Sequence, residues 1–406
     1  MARYAWPGVY VEEVPSAIKP IAGAGTSTAA FIGISADITE AWDPKNKAGM
    51  PANASGQAYT QAAKLTPKAV NGWTEFTQGF GDIQAANQYL AQAVFGFFNN
   101  GGTRCWVIRI DKAGDLTQAL AKLEGIDEVA IVAAPLPPDV PAKELNTAQQ
   151  ALITHCQKLE DRFAILDSSS DIANNNLNIT TDATGIWRPA ANPKGYGAFY
   201  FPWILVADPL GQPGSRIAVP PSGHVAGIYA RSDSERGVHK APANEAILGA
   251  LDVKYQVSKI AQGPLNLAGV NCIRSFNGTI KVYGARTLAS DPAGDPEWAY
   301  VNVRRLVNFL RESIDEGTQW AVFEPNAPDL WSKIRRNVTA FLNGQWAAGA
   351  LVGATPEQAF YVRCDETTNP PDVRARGEVV TEIGVAVARP AEFVIFRLSQ
   401  WAGPGQ

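Results

Sequence analysis

The sequence predicts an α/β plus α+β protein. A sandwich-like α/β domain, a sheet layered with helices, is expected over residues 21–235, an α+β core over 236–389, and extended strand arms at both ends. Three observations carry this. Between residues 85 and 209 short apolar strands alternate with amphipathic helices, the pattern of a parallel sheet covered on both faces. Beyond residue 240 that alternation stops, and longer helices are followed by a run of strands. At each end lies a strand-like run set off by proline, with no neighbour in sequence to pair with.

The first of these runs is WPGVYVEEVP, residues 6–15. PSAIKPIAGAGTS follows and reads as a linker, because Pro15, Pro20, Gly23 and Gly25 disfavour regular structure. The apolar run from Ala29 to Ile34 is the first buried strand. Residues 36–72 are polar, rich in small residues and weakly periodic, so they predict a loop excursion. A helix is expected over 85–102, with Tyr89, Leu90, Ala93, Val94 and Phe97 on one stripe and Gly101 past its end. Strands at 104–110, 128–135, 162–168 and 198–209 and helices at 116–125 and 142–160 complete the alternation.

In the second half, helices are expected at 242–253 and 304–315. In the latter, Val303, Leu306, Val307, Leu310 and Ile314 share an apolar face, from which Arg304, Arg305, Asn308, Arg311 and Glu312 point away. WAVFEPN at 320–326 reads as a strand. A helix over 328–346 starts at Pro328 and Asp329, both favoured in a first turn, and carries the stripe Leu330, Ile334, Val338, Phe341 and Leu342. Strands follow at 359–365, 377–389 and 391–400. No internal repeat is visible.

Composition excludes several classes. The 406 residues are 46% hydrophobic and 18% charged, with a net charge of −4, which gives no support for a nucleic-acid partner. The four cysteines stand far apart without a CxxC pair, so buried free thiols in a reducing compartment are expected. No apolar run approaches the ~20 residues of a membrane span, and the N-terminus lacks a signal-peptide core, so folding in a cytoplasm is expected.

No constellation for catalysis, cofactor or metal binding stands out. Gly23 and Gly25 precede Thr26 and Ser27, but a P-loop needs a lysine and a following helix, and here an apolar strand follows. PPSGHVAGIYARSDSERGVHKAPAN, residues 220–244, holds His224, His239, Ser222, Asp233 and Glu235. Without a GxSxG turn or metal-ligand spacing it reads as a structured connection. Asp291, Asp295 and Glu297 share a stretch with two Asp-Pro steps, which more simply makes a turn. Lys333, Arg335 and Arg336 form a basic patch on a helix, either solvated or facing an acidic protein.

The ends of the chain are more informative. PAEFVIFRLSQW, residues 390–401, places Phe393 and Ile395 on one side and Val394, Phe396 and Leu398 on the other, so it calls for burial within a sheet. Both end strands could pair within the chain, or each could complete a sheet in a neighbouring subunit. The second arrangement is head-to-tail and generates rings or open helices.

PGVYVEEV at 7–14 with TSTAAFIG at 26–33 resembles the opening of the contractile tail-sheath family. NNGGTRCWVIRI (99–110), the 220–244 stretch and LNLAGVNCIRSFNGTIKVYGARTL (265–288) resemble its middle. DPEWAYVNVRRLVNFLRESIDEGTQWAVFEPNAPDLWSKIRRNVTAFL (295–342), GALVGATPEQAFYVRCDETTNP (349–370) and the closing PAEFVIFRL resemble its core. The resemblance spans nearly the whole chain and is weakest at 36–72, where longer sheaths carry extra domains. It implies a helical homopolymer of stacked, usually six-fold rings around an inner tube protein, with baseplate and terminal cap proteins as further partners. It implies no enzyme activity, cofactor, nucleic-acid partner or stable membrane insertion. Synthesis in a bacterial cytoplasm and incorporation into a phage tail or phage-tail-like particle are expected.

Carried over by residue, the N-terminal arm is Val9, Tyr10, Val11, Glu12, Glu13 and Val14. The C-terminal arm is Phe393, Val394, Ile395, Phe396, Arg397 and Leu398. The receiving sheet is expected at 379–387. Tube contact is expected at Lys333, Arg335 and Arg336, with Arg304 and Arg305 behind them. The expected divisions are an arm and linker at 1–20, domains at 21–235 and 236–389, and a C-terminal arm at 390–406. The alternatives are an α/β enzyme using 220–244 and another tail-assembly component.

Overall fold

The structure is a computed structural model that describes residues 20–172, 188–290 and 296–396. The chain forms two compact units. Among the described residues, one comprises 24–172, 188–290, 296–312 and 387–396, the other 20–23 with 313–386.

The larger unit is built on a nine-stranded sheet. Its first strand, β1 (Ala29–Ile34), forms as predicted and is buried through its first five residues. β2 (Lys68–Val70) closes the 36–67 excursion. α1 (Trp73–Phe80) and α2 (Gln88–Asn99) lead into β3 (Cys105–Ile110), and α3 (Leu116–Leu123) into β4 (Ile131–Ala133). α4 (Ala142–Leu159) then precedes β5 (Phe163–Asp167) and β6 (Gly197–Phe201). β1, β4, β5 and β6 pair in parallel succession, and β3 pairs in parallel with β1 on its other side.

Alternate residues sort to opposite faces, the period of a strand. Ala29, Phe31, Cys105, Val107, Phe163, Ile165 and Tyr200 pack in one core with α1 and α2. Ala30, Ile32, Ile108, Ile110, Ala164, Leu166 and Phe199 pack in the other with α3 and α4. A fully buried side chain such as Phe31 or Phe199 contributes about 1.5–3 kcal/mol relative to exposure.

Downstream the structure corrects several expectations. The run at 198–209 is not one strand. Pro202 has no N–H to continue the ladder, and β7 (Ile204–Ala207) leaves the main sheet to pair with β8 (Arg216–Val219). Residues 220–244 are not a connection but contain α5 (Ser222–Arg236), whose residues from Ser222 to Ala230 are buried. The predicted helix at 242–253 is replaced by β9 (Glu245–Ala246) and β10 (Ala250–Val253), because Asn244 (φ 60°) and Gly249 (φ 85°) take left-handed backbone that no helix accommodates. β10 joins β7 in the small sheet. α6 (Lys259–Leu267) precedes β11 (Val270–Phe276), which pairs in parallel with β6, and β12 (Thr279–Val282) turns back antiparallel. The final order is β2-β3-β1-β4-β5-β6-β11-β12-β9. The expected division at residue 235 is therefore corrected: β9, β11 and β12 lie beyond it yet complete the same sheet.

α7 (Val301–Thr318) runs from the larger unit into the smaller. Its first half is buried on nearly every side, so the predicted single apolar face is corrected as well. The predicted strand at 320–326 is a tight turn, with Phe323 at φ 66° and its ring fully exposed.

In the smaller unit α8 (Pro328–Ala347) starts at Pro328 with Asp329 in its first turn and buries the predicted stripe. α9 (Pro356–Ala359) leads into β13 (Phe360–Arg363). α10 (Pro371–Ala375) precedes β14 (Glu382–Val385), a shorter strand than the 377–389 run predicted. β13 and β14 form an antiparallel pair in register from Phe360↔Val385 to Arg363↔Glu382. Asn369 is buried and mimics a strand beside residue 380: its Nδ2 donates to Val380 O at 3.0 Å, and its Oδ1 accepts from Val380 N at 2.7 Å.

Candidate assembly surface

The C-terminal segment follows from its root outward. Asn302, in the first turn of α7, donates from Nδ2 to Ala388 O at 3.0 Å. Four residues on, Glu392 sits half-buried, and Arg286 grips it through Nε at 2.9 Å and Nη2 at 2.7 Å. Asn266 Nδ2 at 2.7 Å and Tyr300 Oη at 3.0 Å donate to the same carboxylate. Burial works to raise this carboxyl, but the hydrogen bonds from Arg286 and Asn266 outweigh it and hold it below the usual range. A groove of about 590 Å³ runs beside the root, with Lys240, Gln262, Tyr283 and Phe393 on its walls.

Beyond Glu392 the character changes. Phe393, Val394, Ile395 and Phe396 are exposed at 69%, 70%, 79% and 84%. They form no strand, which corrects the expectation of a regular strand over 391–400 for the part described. Arg397 and Leu398 lie outside the described residues, as does the N-terminal arm, Val9 to Val14. Four consecutive large apolar side chains in water have no single-chain rationale, since monomers seldom expose contiguous apolar surface.

The segment expected to receive the arms, 379–387, contains β14, which pairs with β13. Among the described residues neither strand has a second partner, so both outer edges of this two-stranded sheet are open. Such an isolated pair is marginal by itself and is a template for strand addition. Tyr361 of β13 is more than half exposed.

On α8, Arg335 and Arg336 are exposed and Lys333 pairs with Asp329 at 2.6 Å, one turn away. Arg304 and Arg305 are corrected: both are interior residues rather than surface cations behind that patch. Arg304 lies over the Trp298 ring at 3.6 Å and donates to Lys194 O. Arg305 makes a fork-like pair with Asp233 at 2.9 and 2.6 Å, and both side chains are almost fully enclosed. Periodicity alone placed both on an outward face, because it cannot reveal that a helix is enclosed.

Of the polar residues at 220–244, Ser222 and His224 are buried in packing, His239 is half-buried and Glu235 is exposed. His224 lies in α5 against α2, and a Cβ on Gly96 would come within 2.3 Å of its ring. Burial drops its pKa to about 4, and its Nδ1 has no partner. Gly223 and Gly227 let the helices approach closely, since a Cβ there would fall 2.3 Å from Ala93 O and 2.5 Å from Phe97 O. Asp167, at the end of β5, accepts from Ser222 N at 2.8 Å, and burial raises its carboxyl to about 7. His224 and Asp167 are therefore enclosed core groups, not an open acid–base pair. All four cysteines are buried and free. Among the described residues no three His, Cys, Asp or Glu side chains converge as a metal site requires. Asp291 and Asp295 lie outside the described residues.

An enclosed α/β body, an exposed apolar segment on a polar root and a two-stranded sheet with open edges fit the class of structural assembly proteins. The phage tail sheath protein central domain matches residues 112–288, and the phage tail sheath C-terminal domain matches residues 293–400. The chain belongs to the phage tail sheath family.

The chain is 27% identical over 180 residues to the tail sheath protein of Enterobacteria phage T4, an alignment covering 43% of this chain and 26% of that one. It is 26% identical over 272 residues to a putative prophage major tail sheath protein of Pseudomonas aeruginosa, covering 63% of this chain and 64% of that one. The chain thus spans about a quarter of the phage T4 protein and just under two thirds of the Pseudomonas one. Among solved structures, the PVC sheath complex of an extracellular contractile injection system in its contracted state superposes with a TM-score of 0.74 at 28% identity, covering 98% of this chain and 99% of that one. The anti-feeding prophage helical sheath in its contracted state gives 0.72 at 27%, with the same coverage.

Proposed function

We propose that this chain is the structural subunit of a contractile sheath. Subunits polymerise as stacked, six-fold rings around an inner tube protein, between a baseplate and a terminal cap. Contraction drives the tube through a target envelope. The single observation that carries this reading is the exposed Phe393–Phe396 run beside a fold that matches contracted sheaths over its whole length. In the polymer, residues 393–398 of one subunit and residues 9–14 of another add strands to the open edges of β13–β14 in a third. That burial removes the apolar run from water and links each subunit to several neighbours. Linkers rich in proline and glycine absorb the motion of the subunits while the strands stay paired, and the energy is stored in the extended polymer, with no nucleotide or other cofactor required.

Tube contact is assigned to Lys333, Arg335 and Arg336, facing an acidic tube. Arg304 and Arg305 are left out of it because their side chains are enclosed. The enzyme alternative loses its motif, since residues 222–230 are core. Another tail-assembly role is less well supported than a sheath, because both matching domains are sheath domains.

Electron microscopy of the purified chain beside a variant lacking residues 1–14 tests the reading. Striated hollow polymers from the full chain and folded monomers from the truncation are expected. Polymers of equal length from both would remove the N-terminal arm from the assembly. If neither polymerises, the same pair is observed with tube protein added as a nucleus.

A further inference from the structure

Three segments of the larger unit meet at the start of α7. They are residues 24–28, where the N-terminal linker ends, α7 itself, and the stretch at residues 387–392 from which the C-terminal segment departs. All three lead out of the core, toward the two arms and toward residues 313–386.

Two α7 side chains, three residues apart and so on one face of the helix, tie them together. Asn302 is 1% exposed and uses both Nδ2 protons, on Ala388 O at 3.0 Å and on His239 O at 2.8 Å. Arg305 spends one edge of its guanidinium on Asp233 and donates from Nη2 to Thr26 O at 2.9 Å as well. Ser27 Oγ reaches the same Asp233 carboxylate at 3.4 Å. Just ahead of the helix, Tyr300 holds Glu392 together with Arg286. Residues 300–305 thus bind the root of each end of the chain, and through buried polar groups, whose geometry is costly to disturb.

We infer that Asn302 and Arg305 are positioning residues that clamp the roots of both arms to one helix, so that load arriving through either arm enters the body at the start of α7. This rests on the arm exchange proposed above. A subunit in a mesh is pulled at both ends. If the two roots were anchored on separate elements, tension would open the body between them. Anchored within one turn of one helix, the pull passes from arm to arm across a few ångströms of rigid structure.

The test uses the full chain carrying Asn302→Leu, Arg305→Lys or both, beside a 1–14 deletion. Lysine keeps a cation for Asp233 but lacks the planar fork that also reaches Thr26 O. Below the polymerising concentration, hydrogen exchange is read by mass spectrometry. It is expected to quicken at 386–392 in Asn302→Leu and at 24–28 in Arg305→Lys. Each single variant is expected to raise the critical concentration for polymerisation about tenfold, and the double variant by less than the product of the two, because the roots act as one block. Unchanged root exchange overturns the clamp. So does quicker exchange with an unchanged critical concentration, or effects of the two variants that simply multiply. Polymers from the 1–14 deletion equal to those of the full chain overturn the arm reading instead, whatever the clamp variants show. Should Asn302→Leu lower the melting temperature, Glu392→Gln repeats the C-terminal test at a position further from the core.

Discussion

At the scale of single residues, the stability of this protein is tied to pH through enclosed titratable groups. His224 and His155 are both held near a pKa of about 4, chiefly by burial, with the Arg162 charge adding to the effect on His155. A histidine whose folded pKa is depressed contributes stability above its ordinary value near 6.5, and that contribution is lost as pH falls toward 4. For His224 the loss is on the order of 3 kcal/mol. Thermal unfolding scanned from pH 7 to pH 4 should therefore show a falling midpoint, and His224→Gln should flatten the fall. Asp167 has the opposite sign. Its pKa is raised to about 7, so its neutral form suits the fold below the ordinary carboxylate range, and that advantage disappears as pH rises toward 7 and above. Asp167→Asn keeps an acceptor for Ser222 N and removes the charge. It is expected to stabilise the protein at pH 8 and to lose that gain by pH 4, as measured by denaturant midpoints. None of these environments is visible in sequence, because burial is a property of what packs around a residue.

At the scale of elements, the close contact of α2 with α5 depends on missing side chains. Gly223→Ala would drive a methyl into the Ala93 backbone, and a loss of about 1–3 kcal/mol is expected in chemical denaturation. On α8, reversing charge at Lys333, Arg335 and Arg336 together should leave the fold intact and abolish co-assembly with tube protein in a sedimentation assay. Unchanged co-sedimentation would place the tube contact elsewhere. For the C-terminal arm, aspartate at both Phe393 and Ile395 should give a monomer with an unchanged melting temperature that no longer polymerises, since those side chains are already in water in the single chain. Elements differed in how legible they were. β1, β3, β4 and β5 stand out in sequence as apolar runs because both faces of a parallel sheet are covered. α5 does not, because a helix enclosed on all sides by close packing needs small residues rather than a one-sided stripe, and its Gly, Ser and His content mimics a loop.

At the scale of the whole molecule, the chain joins an enclosed α/β body to an apolar run, Phe393 to Phe396, that is left in water. The boundary expected at residue 235 falls inside one continuous sheet, and the compact division lies instead at 312/313, within α7. Helix periodicity runs straight through that point, so the sequence carries no break to mark it. Deleting residues 1–14 should leave the thermal transition of the folded body unchanged within a few degrees while removing polymers from micrographs. A large drop in melting temperature would mean that the first strand pairs within its own chain.

Sequence alone determined β1, β3, β4 and β5 of the parallel core, the covering helices α2, α3 and α4, and the start of α8 at Pro328. These depend on short-range patterns of apolar and turn-forming residues, which the chain carries wherever it folds. The tertiary structure decided the rest: that residues 222–236 form a core helix, that 245–253 are strands, that Arg304 and Arg305 are interior, and that the roots of both ends meet at one turn of α7. Each of these depends on contacts between residues far apart in the chain. A local pattern shows which face of an element prefers burial, but only the assembled fold determines how many faces are in fact covered and which distant polar group satisfies a buried charge.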